Sequence, residues 1–293
     1  MPLVFIALIL SYMGCERRAV EFSFAYLTDI HVQPELNATK GYKKPIDVVN
    51  ELNPEFVITG GDLIMDALGV PYERADMLYS LYNQTTRAFK MPVYNTIGNH
   101  EIFGLYVMSG VDTNHPKYYK KLYEDRVGKR YYSFDYKGWH FMLLDSIGQT
   151  VDRKYVGWID AEQMEWIASD LQSISPDVPI VLSTHIPFIS VARQLSSGST
   201  EANPNGLVVI NSKDVLGLFQ DRNLKLVLQG HLHFLEEINV RGITFLTGGA
   251  VSGNWWEGPR QGMEEGFVLV TVKGQNFHWE YVDFGWEVQK TEN

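Results

Sequence analysis

Cysteine is almost missing from this chain: Cys15 is the only one among 293 residues. No intramolecular disulfide can form, so stability has to come from the core. Basic charge is also short, with 25 Lys and Arg against 35 Asp and Glu and a net charge of −10. Such a balance repels a polyphosphate backbone unless a local positive centre intervenes, which excludes a nucleic-acid-coating role. Internal repeats and low-complexity tracts are absent as well. What remains is 45% hydrophobic, 13% aromatic and 20% charged, the composition of a globular chain with a large core. Intrinsic disorder, coiled coil and collagen are thereby excluded.

The uncharged run at residues 2–14 (PLVFIALILSYMG) is too short to span a bilayer, since 13 residues at ~1.5 Å each reach only ~20 Å of the ~30 Å required. It has the character of a signal-peptide apolar region, and Cys15 stands where a bacterial lipoprotein signal places its acylated residue. The expectation is a signal peptide at 1–14, a short tether at 15–21 and a single domain over 22–293. The expected location is the bacterial cell envelope, periplasmic or lipid-anchored, with membrane contact only through Cys15.

Strand character recurs at 22–28, 56–59, 92–97, 139–144, 179–183, 224–228 and 243–247. Helical spacing or composition occupies 47–52, 72–89, 116–124, 160–171 and 212–219. Asp160 offers an N-cap acceptor and Gln163 the partner of a capping box. The alternation predicts an α/β architecture of sheets flanked by helices. Turns at Lys137-Gly138, Arg241-Gly242 and Lys273-Gly274 predict hairpins, hence mixed sheets, with a terminal antiparallel pair over 266–283.

Five apolar runs end in metal-ligand residue types: Asp29-Ile30-His31, Gly61-Asp62, Gly98-Asn99-His100-Glu101, Thr184-His185 and Gly230-His231-Leu232-His233. In open α/β sheets chemistry collects beyond the strand ends. Residues two apart in an extended chain point the same way, so Asp29 with His31, and His231 with His233, are expected to converge. Neighbours point apart, which sends His100 toward substrate if Asn99 faces a metal. Any one pair alone is ordinary surface polarity; five in register with strand ends are not.

Taken in order, these blocks resemble the signature of the calcineurin-like metallophosphoesterases, including cyclic-nucleotide phosphodiesterase-type members, over about residues 22–250. Asp160-Ala161-Glu162-Gln163 is similar to the helix that follows the Leu-Asp strand of that family, here Leu144-Asp145. The resemblance implies two facing mixed sheets wrapped by helices. It also implies one metal held by Asp29, His31, Asp62 and His233, a second held by Asp62, Asn99, His185 and His231, and His100 as the off-metal catalytic histidine.

Two divalent ions against two carboxylates leave a local charge of +2, which would let an acidic protein bind a small phosphoester. Imidazole, carboxylate and amide donors without thiolate suit Mn, Fe or Zn. Such a pair lowers the pKa of a bridging water for in-line attack on a phosphomonoester or phosphodiester, with His100 protonating or stabilising the leaving oxygen. The different-class alternative is a binding or scaffolding lipoprotein that keeps the fold without catalysis. Specificity is expected from outside the motifs. Residues 102–129 and 186–206 are candidate lids. Trp255 and Trp256, in the glycine-rich block 248–258, either fill the core or stack on substrate. Arg193 and Arg260 are candidate phosphate contacts, against a solvated surface reading, and His140 and His278 are read as structural.

Overall fold

The computed structural model describes residues 20–288. The signal-peptide and acylation readings fall on residues 1–15, outside the described residues. The strands are β1 (Glu21–Leu27), β2 (Phe56–Thr59), β3 (Val93–Asn95), β4 (Tyr132–Tyr136), β5 (Trp139–Leu143), β6 (Ile147–Gln149), β7 (Tyr155–Gly157), β8 (Ile180–Ser183), β9 (Leu224–Gln229), β10 (Leu235–Val240), β11 (Ile243–Gly248), β12 (Gly266–Lys273) and β13 (Asn276–Asp283). The helices are α1 (Ala38–Leu52), α2 (Tyr72–Thr86), α3 (Lys121–Arg126), α4 (Ala161–Gln172), α5 (Ala192–Ser197) and α6 (Ser212–Gly217). Among the described residues no helix is long and apolar enough to cross a membrane.

β6 and β7 pair as a small third sheet; of the two large ones, one runs β13-β12-β1-β2-β3 and the other β10-β11-β9-β8-β5-β4. Both large sheets are mixed. β1, β2 and β3 are parallel, as are β5, β8, β9 and β11, while the three expected hairpins supply the antiparallel edges β4, β10 and β12-β13. Lys137-Gly138 and Arg241-Gly242 both have positive φ at their two residues, the twist-matched hairpin geometry. The third turn centres one residue later than expected, on Gly274-Gln275, because Lys273 still pairs with Asn276.

Alternation along β1 divides the core in two. Phe22, Phe24 and Tyr26 face the interior between the sheets, where Phe24 stacks on Phe56 at 5.2 Å and Phe134 on Phe141 at 4.9 Å. Ala25 and Leu27 face outward into the layer covered by α1 and α2. Each large apolar side chain so buried is worth ~1.5–3 kcal/mol.

Helix α1 begins at Ala38, nine residues before the expected start, because Gly41 and Pro45 read as breakers. Pro45 is tolerated inside the helix at the expense of one backbone bond. Gly41 is required there: a Cβ at that position would lie 2.2 Å from the Trp256 ring. Helix α3 is shorter than the expected 116–124 run. Asp160 does cap α4, accepting from the Gln163 N–H at 2.8 Å, but the capping box does not close. The Gln163 amide instead clamps the Asp145 backbone, accepting from its N–H and donating to its carbonyl, both at 2.8 Å.

Candidate metal centre

The parallel strands of both sheets end along one edge, and the loops leaving them carry the polar motifs. Beyond the strands the loops keep bonding to one another: the N–H groups of Asp29, His31 and Val32 donate to the carbonyls of Gly61, Asp62 and Leu63 at 2.9–3.1 Å. This pairing brings the Asp29 and Asp62 segments side by side. Gly98 lets the third loop close on them, since a Cβ there would fall 2.2 Å from the Asp62 nitrogen.

Asp29, His31 and His233 form one group whose ligand atoms lie within 4.8 Å of one another, and Asp62, His185 and His231 form another. Asp62 joins them, with Oδ2 at 3.6 Å from His31 Nε2 and 3.1 Å from His185 Nε2. The Asn99 amide oxygen lies 3.2 Å from His185 Nε2. All seven predicted donors are therefore brought together, and all but His231 are buried.

They converge by a different backbone geometry from the one expected. Asp29, His31, Asp62, His231 and His233 have φ of 55°, 46°, 51°, 73° and 55°. These are left-handed conformations, not extended ones, so the two-residue alternation argued above does not operate here. Each such residue costs ~1–2 kcal/mol, and Asp and His are among the types that adopt the conformation more readily.

The donor set fits divalent ions. His185 Nδ1 donates to the Gly60 carbonyl at 2.8 Å and His233 Nδ1 to the Gly253 carbonyl at 2.7 Å, which leaves each Nε2 lone pair aimed inward. His231 is turned the other way: Nε2 donates to the Gly206 carbonyl at 3.0 Å, so Nδ1 faces the centre. Such carbonyl partners fix the tautomer a metal requires. His31 Nε2 and His233 Nε2 lie 3.0 Å apart, within hydrogen-bond distance, and His31 Nδ1 is buried without a partner, so no carbonyl sets the His31 tautomer.

The electrostatics of the cluster favour a cation: burial opposes a charge on His185, but the Asp62 and Asp29 carboxylates raise it to about 9, and a divalent ion would displace that proton from Nε2. Burial alone would raise the Asp29 carboxyl, but His233 beside it brings it down to about 2. Asp62, equally buried, is held well below the ordinary carboxylate range by His185. Burial pushes His231 down to about 4, keeping it neutral.

His100 is not set apart from the donors, since one of its ring nitrogens lies within 4.8 Å of ligand atoms of His31 and Asp62. His100 packs its ring edge-on against His31 at 4.7 Å, with Nδ1 donating to the Met65 carbonyl at 2.5 Å and Nε2 3.8 Å from Asp62 Oδ2. Its side chain is 23% exposed, whereas His31 and His185 are sealed.

The tryptophan pair divides. Trp256 is fully buried, donates to the carbonyls of Ile30 and His31 at 3.0 and 3.1 Å, and packs edge-on against Trp286. It cannot touch substrate, which corrects that expectation. Trp255 lies over His233 at 4.7 Å and stays partly exposed. Arg193 is exposed on α5 in a groove that His231 also lines.

Residues 102–129 are not a free lid. Ile102, Phe103, Leu105, Leu122 and Tyr123 are buried, and Arg153 ties the segment down through the carbonyls of Gly104, Leu105 and Val111. His140 is structural, held between Asp135 and Asp170 at 2.7 Å each.

Two positioning residues had no expected role. The buried Glu101 carboxylate accepts from four backbone N–H groups, those of Asp62, Leu63, Ile64 and Gly98, at 2.7–3.2 Å. Gln229, at the end of β9, accepts from Phe188 N–H and donates to the Ile189 carbonyl, fixing the loop after His185. Glu101 adjoins the motif histidine, so its place in the sequence was a signal; Gln229 carried none.

A two-sheet α/β scaffold with seven Asp, Asn and His donors gathered at one edge defines a protein built for a pair of metal ions. The sequence pattern of the calcineurin-like phosphoesterases matches residues 22–235, and the chain belongs to that family, whose members bind two divalent metals. Among solved structures it is similar in fold to a dimetal phosphatase from Danio rerio, with a TM-score of 0.61, 14% identity, and 90% of this chain and 99% of that one covered. It is also similar in fold to GAP50, the anchor in the inner membrane complex of Plasmodium, with a TM-score of 0.52, 16% identity and coverage of 92% and 86%. No curated protein matches the chain.

Proposed function

We propose that the protein hydrolyses phosphoesters, mono- or diesters, at a two-metal centre. The observation that carries this reading is the convergence of seven donors, of whose four histidines three, His185, His231 and His233, are oriented by ring bonds to backbone carbonyls. Asp29, His31, Asp62 and His233 would hold one ion and Asp62, Asn99, His185 and His231 the other. Divalent ions such as Mn, Fe or Zn supply Lewis acidity and activate water near neutral pH when bound.

The chain's own part in turnover is proton delivery and alignment. Because Met65 takes the Nδ1 proton of His100, Nε2 is the ring nitrogen free to exchange one. As the ester P–O bond breaks, the leaving oxygen takes the Nε2 proton, a role worth ~10²- to 10⁴-fold. Asp62 Oδ1 accepts the His100 backbone N–H at 2.9 Å, so the acid and the shared carboxylate keep a constant spacing.

A scaffolding role is the second reading, favoured by the fold likeness to a protein described as an anchor. Retention of every donor together with His100 supports the enzyme. The envelope location with a lipid anchor at Cys15 rests on residues 2–15 of the sequence. The test is hydrolysis of 4-nitrophenyl phosphate and bis(4-nitrophenyl) phosphate with Mn²⁺. Activity abolished by chelator and by Asp62→Ala is expected; a protein that binds no metal on titration supports the scaffold instead.

A further inference from the structure

A groove of about 700 Å³ opens beside the centre, lined by His231, Leu207, Phe234 and Met263 together with two arginines, Arg193 and Arg260. The guanidinium of Arg260 lies over the Trp255 ring at 4.6 Å, and the same ring contacts His233 at 4.7 Å and His31 at 6.1 Å. The Trp255 ring thus links this cation to two of the proposed metal donors.

Neither arginine has a carboxylate partner among the described residues. Arg74, Arg126 and Arg130 each pair with an acid, and Arg153 is used up on three carbonyls. Among the described residues Arg87 and Arg241 also lack an acid partner, so what sets Arg193 and Arg260 apart is that both line one groove beside the centre. Arg260 is also partly withdrawn from water, and that burial lowers its pKa. Stacking leaves the N–H edges of a guanidinium free for an anion, in the planar fork that suits phosphate.

The reacting phosphoryl group belongs at the metal donors, so the groove serves another part of the same molecule. Resting on the phosphoesterase reading, we infer that this groove receives a second phosphate group of the substrate, joined to the reacting phosphoester through an apolar linker, with Arg260 as its main contact and Arg193 as an auxiliary one. Leu207, Phe234 and Met263 pack along the linker. The substrate class is thus a phosphoester with two phosphates rather than a simple alkyl or aryl phosphate, and Arg260 determines that specificity without touching the reacting atoms.

Non-hydrolysable probes separate this from catalysis. Alkane α,ω-bisphosphonates of two to eight carbons are titrated calorimetrically into the Mn²⁺-loaded protein beside alkyl monophosphonates of equal chain length. At one or two lengths the bisphosphonate is expected to bind on the order of tenfold more tightly, the yield of one charge-assisted phosphate contact. Arg260→Gln collapses that ratio toward one, and Arg193→Gln reduces it. The inference is overturned by a ratio near one at every length, or by a ratio that survives both substitutions, as metal chelation by the probe would produce. Equal losses for both probe types in Arg260→Gln place Arg260 at the reacting phosphate and overturn it too. The hydrolase reading fails separately: a protein inactive on nitrophenyl esters that still shows the arginine-dependent ratio binds two-phosphate ligands without cleaving them.

Discussion

The carboxylate of Glu101 accepts the backbone N–H of Asp62 at 2.9 Å, so the residue next to the proposed acid holds the aspartate that serves both halves of the centre. Glu101→Gln keeps one acceptor oxygen and turns an NH₂ toward two of the four N–H donors. The expected penalty is about 2–4 kcal/mol, read as a melting temperature lower by roughly 5–12 °C, with weaker Mn²⁺ binding. An unchanged melt would mean that the loop positions itself without this carboxylate.

His100→Ala is expected to leave both ions in place while slowing an alkyl phosphoester ~10²-fold or more. A nitrophenyl ester, whose leaving group needs little protonation, should lose much less. Comparing the two substrates in wild type and variant, alongside metal content, checks the role. Equal losses would assign His100 to charge stabilisation, and loss of metal would make it a ligand.

The two adjacent tryptophans should separate in their effects. Trp256→Ala removes a fully buried ring and the one N–H donor that the Ile30 and His31 carbonyls share, with an expected loss of ~3–5 kcal/mol in denaturant unfolding. Trp255→Ala is expected to change stability little and to raise KM more than it lowers kcat. A reversed pattern would contradict the placement of the two rings.

Metal binding should stabilise the fold. Adding Mn²⁺ to chelator-treated protein at a hundredfold excess over Kd contributes ~2.7 kcal/mol and raises the melting temperature by several degrees. Asp62→Ala should abolish most of that rise, which a thermal melt in graded Mn²⁺ would show.

The sheets were legible because β1, β2, β5, β8 and β9 are predominantly apolar runs, and the hairpins because Gly follows Lys137 and Arg241 directly. The seven proposed donors stand directly after strands in the sequence, and the structure gathers them at one edge. The first half of α1 was hidden, since Gly41 and Pro45 are poor helix residues and only the distant Trp256 explains the glycine. Nothing local distinguishes Trp255 from Trp256 either; their fates are decided by long-range contacts to His233 and to the Ile30 and His31 carbonyls. Glu101 was visible as a motif letter, but its four N–H partners come from loops that meet only in three dimensions.

The left-handed backbone at Asp29, His31, Asp62, His231 and His233 bears on how this centre can be dissected or transplanted. Alanine at any of these positions removes a donor and also installs a residue less suited to that conformation, so an alanine scan conflates chemistry with backbone preference. Glycine and asparagine would delete or weaken the donor while accepting the same φ, and the difference between the two kinds of variant measures how firmly the loops hold their ligands. By the same reasoning, grafting the seven side chains onto straight strand ends of another protein would reproduce the sequence motif and miss the site.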